Sequence, residues 1–131
     1  MIDYGFTKEV DVSVEEAIDT VCDELKKEGF GILTRIDAHE KFKEKLGIDF
    51  KKYVILGGCN PALAHKAILA EENIGLMLPC NVIVYEKDGK TVISVMKPTM
   101  AMEMIDNDEL KQIAETVEEK LKKAFESIAW R

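Results

Sequence analysis

The sequence predicts an α+β fold, a mostly antiparallel sheet of about five strands with helices packed mainly on one face. Three observations support this prediction. Apolar and polar residues alternate from Tyr4 to Val12, as in a half-buried strand. Asp88-Gly89 lies between two apolar runs and is a strong hairpin signal, which predicts an antiparallel pair. The last helical segment carries one unbroken apolar stripe, which is typical of a helix that covers one side of a sheet.

The first half of the chain alternates between strand and helix signals. After the first strand, Ser13 and Glu16 form a capping-box sequence, and Gly29 is expected to end the helix that follows. The next strand is predicted over Phe30 to Ile36, where apolar residues again alternate. Asp37 is then expected to cap a short helix that ends at Gly47, before a third strand over Tyr53 to Leu56.

The second half begins with a helix predicted from Pro61 to about Glu72, because Asn60 is a good N-cap and proline suits the first helical position. Its inward residues are expected to be Leu63, Ala64, Ala67 and Ile68. Ile74 to Pro79 reads as an irregular buried connection. Strands are predicted over Cys80 to Lys87 and Thr91 to Met96, and the last helix is expected to start at a cap formed by Asn107 or Asp108.

Length and charge limit the classes of function. The 131 residues are expected to form one domain, 1–131, because a chain of this length buries roughly two thirds of its unfolded surface. The net charge of −7 makes nucleic acid an unexpected partner. No signal peptide or membrane span is recognisable, so we expect a cytoplasmic protein without membrane contact. The three cysteines are then expected to be reduced thiols and not disulfides.

Two Cys-Asn pairs beside glycine and proline mark the candidate site. Gly57-Gly58-Cys59-Asn60-Pro61 is interpreted as a turn from a strand into a helix, and Pro79-Cys80-Asn81 as the start of the next strand. We expect the two sulfurs to lie close together beside a small polar pocket for a small-molecule or anionic ligand. The candidate ligand-binding residues are Gly57, Gly58, Cys59, Asn60, Cys80 and Asn81.

The chemistry of these cysteines has two interpretations. A helix N-terminus favours a negatively charged thiolate at Cys59, which would make it nucleophilic. Alternatively, Cys59 is a small buried residue in a structural turn, since free cysteine is among the most buried residue types. Cys80 begins a strand and has a weaker claim alone. Cys22 falls within the apolar stripe of the first helix and is expected to belong to the core.

Metal, nucleotide and hydrolase signatures are weak or missing. The cysteines and the two histidines do not have zinc-site spacing, and no catalytic residues, metal site or cofactor are assigned. Cysteines together with Met100, Met102 and Met104 could offer soft ligands to Cu(I), although methionines more often fill core gaps. His65 could pair with Cys59, but nothing supplies a third catalytic group. Glycine-rich phosphate-binding loops are missing.

The motifs at Glu28–Asp37, Tyr53–Pro61 and Ile74–Tyr85 resemble those of the domain-of-unknown-function 302 family. The resemblance covers roughly residues 4–104 and includes both Cys-Asn pairs. Gly58 stands where the family pattern suggests alanine. It implies a curved antiparallel sheet of the TATA-binding-protein-like class, often in dimers. It implies no activity and no catalytic residue.

Two functional hypotheses remain open. The first is a small-ligand-binding module, with thiol chemistry at the Gly57 to Pro61 turn. The second is a structural or protein-interaction domain that forms a homodimer and has no chemistry of its own; the apolar run Val82 to Tyr85 and the resemblance both favour such a dimer. Whether the two Cys-Asn pairs meet in a pocket open to solvent discriminates between the hypotheses.

Overall fold

A five-stranded, fully antiparallel sheet forms the framework of the protein in a computed structural model, which describes residues 2–128. The predicted α+β class is confirmed. Neighbouring strands follow the spatial order β1-β5-β4-β3-β2, so that β3 and β4 lie inside the sheet and β1 and β2 at its edges. The strands are β1 (Gly5–Val10), β2 (Gly31–Asp37), β3 (Tyr53–Cys59), β4 (Cys80–Lys87) and β5 (Lys90–Met96).

Helices cover one face of this sheet. The helices are α1 (Val14–Lys27), α2 (Ala38–Leu46), α3 (Pro61–Ala70), a 3₁₀ helix (Glu72–Met77), α4 (Pro98–Ala101) and α5 (Asp108–Glu126). Val21 of α1 and Leu121 of α5 pack in one core cluster with strand residues such as Val82, and all three are 1% exposed. Burial of each such side chain contributes roughly 1.5–3 kcal/mol, which fixes α1 and α5 on the sheet. None of these helices is long and apolar enough to cross a bilayer.

Helix and turn signals in the sequence correspond to hydrogen bonds, with one exception. Ser13 Oγ accepts the Glu16 amide at 3.1 Å, and Asn107 Oδ1 caps α5 by accepting the Leu110 amide at 3.0 Å. In the hairpin, Asp88 and Gly89 both have positive φ, as a two-residue turn of this kind requires. Asp37 does not cap α2 through its side chain, because its carboxylate pairs with Arg35 at 3.0 Å.

Two boundaries differ from prediction in ways that shape the candidate site. β3 continues through Gly57, Gly58 and Cys59, which pair with β2 on one side, whereas the sequence predicted a turn there. Glycine can occupy a strand where another segment of backbone approaches closely. At Gly57 that segment is Pro79, which directly precedes β4. The segment after α3 is a 3₁₀ helix in which only Ile74 is fully buried, so the predicted irregular buried connection is wrong.

Candidate functional site

A cavity of about 390 Å³ lies at one end of the sheet, between the strand ends and helices α3 and α5. Its side toward the sheet is formed by Cys59 at the end of β3 and Cys80 at the start of β4. The other walls are apolar and are contributed chiefly by Leu63, Ala64, Ala67, Met102, Ile113 and Val117. Protein interiors are close-packed, so a space of this size is a feature that requires explanation.

The rim of the cavity carries exposed apolar side chains. Leu33 is 66% exposed and Ile68 is 42% exposed, and both line the cavity. Leu33 reaches this position because the register between β2 and β3 shifts between Ile32 and Thr34, which leaves Leu33 without a strand partner. Such bulges redirect side chains and are frequent beside functional sites. The cavity is therefore accessible from solvent across an apolar rim.

Cys59 and Cys80 both line this cavity. Gly58 and Cys80 are register partners, and Cys59 lies one residue beyond Gly58 at the end of β3. Burial raises the pKa of the Cys80 thiol from 9.0 to about 11, and the nearby Cys59 adds to this rise. Cys59 is only half-buried and is the more accessible of the two. The arrangement combines one accessible and one buried thiol in the same apolar space.

Asn60 has a structural role. Its Oδ1 accepts the Leu63 amide at 3.3 Å and caps α3, while its Nδ2 donates to the Glu28 carbonyl at 3.3 Å. The same side chain thus joins the end of α1 to the start of α3. The Ala64 amide bonds to the Asn60 carbonyl at 2.9 Å, and Pro61 has no amide hydrogen. Most of the amides at this helix start are therefore satisfied within the protein.

Asn81 is separated from the other candidate residues. It is exposed and lines a broad groove on the opposite face of the sheet, which no helix covers within residues 2–128. The reason is the alternation of side chains along a strand, because Cys80 faces the helices and its neighbour must face away. Of the six predicted residues, Gly58, Cys59, Asn60 and Cys80 line the cavity, whereas Gly57 and Asn81 do not.

The opposite face of the sheet, here called the open face, carries tyrosine, isoleucine and valine side chains. The rings of Tyr53 and Tyr85 stack with centroids 5.2 Å apart, and Lys51 Nζ lies 4.9 Å from the centre of the Tyr85 ring. Ser94 and Thr7 hydroxyls are hydrogen-bonded at 2.8 Å.

The structure does not pair either histidine with a cysteine. His65 is exposed and does not line the cavity. His39 lies at the start of α2, where its Nδ1 accepts the Tyr53 amide at 3.0 Å. His39 also clusters with Asp37 and Glu40, with one ligand atom from each within 4.8 Å of the others. Asp37 is already bound by a guanidinium and His39 by a backbone amide, which accounts for this cluster without a metal.

Several cavity residues carried no signal in the sequence. Met102 was one of three methionines with similar spacing, and only the fold shows that it is 5% exposed and lines the cavity. Ile113 and Val117 belong to the apolar stripe of α5, whose pattern cannot distinguish a packed core from a cavity wall. Leu33 lines the rim through a bulge, which a period-2 pattern does not predict.

Comparisons with known proteins agree with this fold. A family model described as a domain of unknown function, DUF302, matches residues 6–128. The chain is similar to the crystal structure of an uncharacterized conserved protein DUF302 from Bacillus stearothermophilus, with 35% sequence identity and a TM-score of 0.90. That match covers 98% of this chain and 100% of the other. Curated proteins give no significant match.

Proposed function

Since the chain belongs to the DUF302 family of domains of unknown function, we propose a function from its geometry, namely that the cavity between the sheet and helices α3 and α5 binds a small apolar molecule. The observation that carries the proposal is the lining of the cavity. Among the described residues, no charged side chain lines it, and Thr34 and Asn60 are the polar exceptions among aliphatic, aromatic and sulfur-containing groups. Ligand sites of small molecules are typically concave, largely apolar and preformed.

An apolar ligand fits this site better than an anion. An anion would require free backbone amides or a cation, but Asn60 caps the start of α3 and no lysine or arginine lines the cavity within residues 2–128. The volume of about 390 Å³ lies at the lower end of the range of roughly 300–1,000 Å³ for small-molecule sites. The half-buried Cys59 gives the ligand one polarizable contact at the sheet end.

Binding of a fluorescent apolar dye, 1-N-phenylnaphthylamine, tests this proposal. We expect its emission to rise on binding and the rise to saturate at one dye per chain. Ala64→Phe fills the cavity wall and is expected to abolish binding, whereas Ala62→Phe is the matched control because Ala62 is exposed on the same helix and does not line the cavity. Equal binding by both variants would contradict the proposal, as would no binding by the wild-type protein.

A second candidate function is that of a homodimer formed through the open face. Tyr4 and Ile36 are 65% and 46% exposed, and no helix covers this side within the described chain. The occupant we consider is a second copy, because the face is self-complementary in charge. Glu9 lies on edge strand β1 and Lys51 lies two residues before the start of β3, so a two-fold axis can bring Glu9 of one copy to Lys51 of the other.

Sedimentation velocity at micromolar concentration distinguishes the two candidates. A dimer of the 14.8 kDa chain is expected for the wild-type protein, and Ile83→Lys on the open face is expected to give a monomer. A monomeric wild-type protein would contradict the dimer and leave the cavity proposal intact. Gln112→Lys, an exposed substitution on α5, controls for the addition of one positive surface charge.

A further inference from the structure

We propose that the apolar cavity takes an unbranched alkyl chain, whose polar head group remains in water at the mouth of the cavity. The assignment of this class of ligand rests on the apolar-ligand site proposed above. An alkyl chain fits three features of the cavity, namely its extension along α3, its exposed aliphatic rim and the aliphatic chemistry of its lining.

The cavity extends along one side of α3. The residues of α3 that line it are Leu63, Ala64, Ala67 and Ile68. Residues at this spacing share one side of a helix, and from 63 to 68 the helix advances about 7.5 Å at about 1.5 Å per residue. On α5, Ile113 and Val117 line the same space and are about one turn apart. A space bordered lengthwise by two helices accommodates an extended chain.

The lining passes from buried to exposed side chains. Met102 and Ala114 line the cavity and are 5% and 1% exposed, whereas Leu33 and Ile68 line it and are 66% and 42% exposed. Leu69, next to Ile68 in α3, is 73% exposed and extends the apolar rim. A molecule that fills the space therefore has one part in apolar surroundings and one part at the solvent. An amphiphile meets both conditions, because its chain is buried and its head group stays solvated.

The chemistry of the lining favours a hydrocarbon chain over a polar ring system. Phe30 supplies the one aromatic ring among the described lining residues, and Thr34 and Asn60 supply the side-chain oxygen and nitrogen atoms. The Asn60 amide is already bonded to the Leu63 amide and the Glu28 carbonyl. A rigid polar ligand needs placed hydrogen-bond partners to fix its orientation, whereas a chain needs none.

The volume of the cavity sets the length of the chain. A water molecule occupies about 30 Å³ of the liquid and a methylene group is of similar size, so the volume of about 390 Å³ holds roughly ten carbon atoms. Carbon atoms beyond this number reach the rim and the solvent, and they add less to the affinity than those inside.

Displacement of 1-N-phenylnaphthylamine by n-alkanols, from 1-hexanol to 1-dodecanol and each below its solubility limit, tests this proposal. The affinity is expected to rise about fourfold per methylene group, the equivalent of about 0.8 kcal/mol, because each added group is buried. The rise should level off near roughly ten carbon atoms, where the chain fills the cavity. Titration calorimetry with 1-decanol measures the binding of the chain without the dye.

Two exposed leucines provide a variant and its matched control. Leu33→Ser removes part of the rim and is expected to weaken 1-decanol binding by about fourfold or more, the loss of at least one methylene contact. Binding of 1-hexanol, whose chain fits inside the cavity, should not change. Leu46→Ser is the control, because Leu46 is 65% exposed on α2 and does not line the cavity. Equal weakening by the two substitutions would contradict the position of the rim.

A charged head group tests whether the head remains in water. Decanoate is expected to bind within about tenfold of 1-decanol, because burial of its carboxylate would cost far more. Free amphiphiles and membrane lipids both carry such chains, and centrifugation with phosphatidylcholine vesicles separates these sources. Protein that stays in the supernatant assigns the chain to a free amphiphile, and co-sedimentation that Leu33→Ser reduces assigns it to a lipid.

The outcomes separate this assignment from the apolar-ligand site itself. Dye binding that no alkanol displaces would overturn the alkyl-chain assignment and leave the apolar site intact. An affinity that rises by the same factor up to 1-dodecanol would also overturn it, because a cavity of fixed volume imposes a limit on chain length. If neither the dye nor 1-decanol binds, the apolar-ligand site itself is wrong.

Discussion

Gly57 and Pro79 lie in close contact where the chain enters β4. A Cβ atom on Gly57 would come within 2.7 Å of Pro79 Cγ and would overlap the Thr34 hydroxyl. At Gly58, in contrast, the nearest atom to such a Cβ is the Cys80 carbonyl oxygen at 3.5 Å, which is ordinary van der Waals contact. The two adjacent glycines therefore have different roles, and only Gly57 is required for the approach of the two strand ends.

Alanine substitutions separate these roles. Gly57→Ala is expected to destabilise the protein by about 1–3 kcal/mol, because Pro79 and Thr34 must move. Gly58→Ala is the matched control and is expected to be neutral or to stabilise by up to about 1 kcal/mol, through a less flexible unfolded chain. Urea denaturation of both variants measures the difference, and equal destabilisation by the two substitutions would contradict the assignment.

Asn60 offers a prediction about the junction of α1 and α3. Asn60→Ala removes both the cap of α3 and the bond to the Glu28 carbonyl, and we expect a loss of about 1–2 kcal/mol. Asn60→Asp keeps the oxygen that caps Leu63 but loses the donor, and its charge faces a carbonyl. The aspartate variant should therefore recover only part of the stability in thermal unfolding; full recovery would show that the Glu28 bond contributes nothing.

The fold was predictable where local patterns decide the structure. The capping serine, the Asp88-Gly89 hairpin and the stripe of α5 each depend on residues close in sequence, and each appears where predicted. β3 was predicted too short because Gly57 and Gly58 resemble turn residues. The close approach of Thr34 and Pro79 to Gly57 is a tertiary contact, and such contacts leave no local signal.

The candidate site was predictable only in part, because tertiary structure decides which of its residues come together. Cys59 and Cys80 were selected by their neighbours in sequence, and the sheet places them along one cavity. Asn81 was grouped with them, although strand alternation directs it to the open face. The apolar nature of the cavity was not foreseen, because residues such as Ile113 come from α5 and give the same pattern whether they fill a core or line a space.

The buried thiol of Cys80 makes stability depend on pH in a definite window. Burial raises its pKa to about 11 in the folded protein, whereas the ordinary value is 9.0. The unfolded chain therefore loses this proton first as pH rises, so the contribution is fully present below pH 9 and is lost toward pH 11. We expect the wild-type protein to lose roughly 2 kcal/mol more than Cys80→Ala across this window.

Urea denaturation of both proteins from about pH 7 to about pH 10.5 measures this difference, since other groups that titrate there are common to both. Cys22, whose pKa is also raised by burial and by its aspartate neighbours, is present in each protein and cancels. Parallel pH profiles for the wild-type protein and Cys80→Ala would contradict the assigned burial of this thiol.

Thiol labelling tests the accessibility of the three cysteines and its link to the cavity. Cys59 is half-buried at the cavity wall and is expected to react with iodoacetamide fastest. Burial raises the pKa of both Cys22 and Cys80, and with a pKa of about 11 only about one thousandth of Cys80 is thiolate at pH 8, so Cys80 should react last. Peptide mass spectrometry gives the three rates.

Saturation with 1-N-phenylnaphthylamine should then slow the labelling of Cys59 and leave the labelling of Cys22, which lies outside the cavity, unchanged. Equal slowing at both cysteines would show that the dye binds elsewhere.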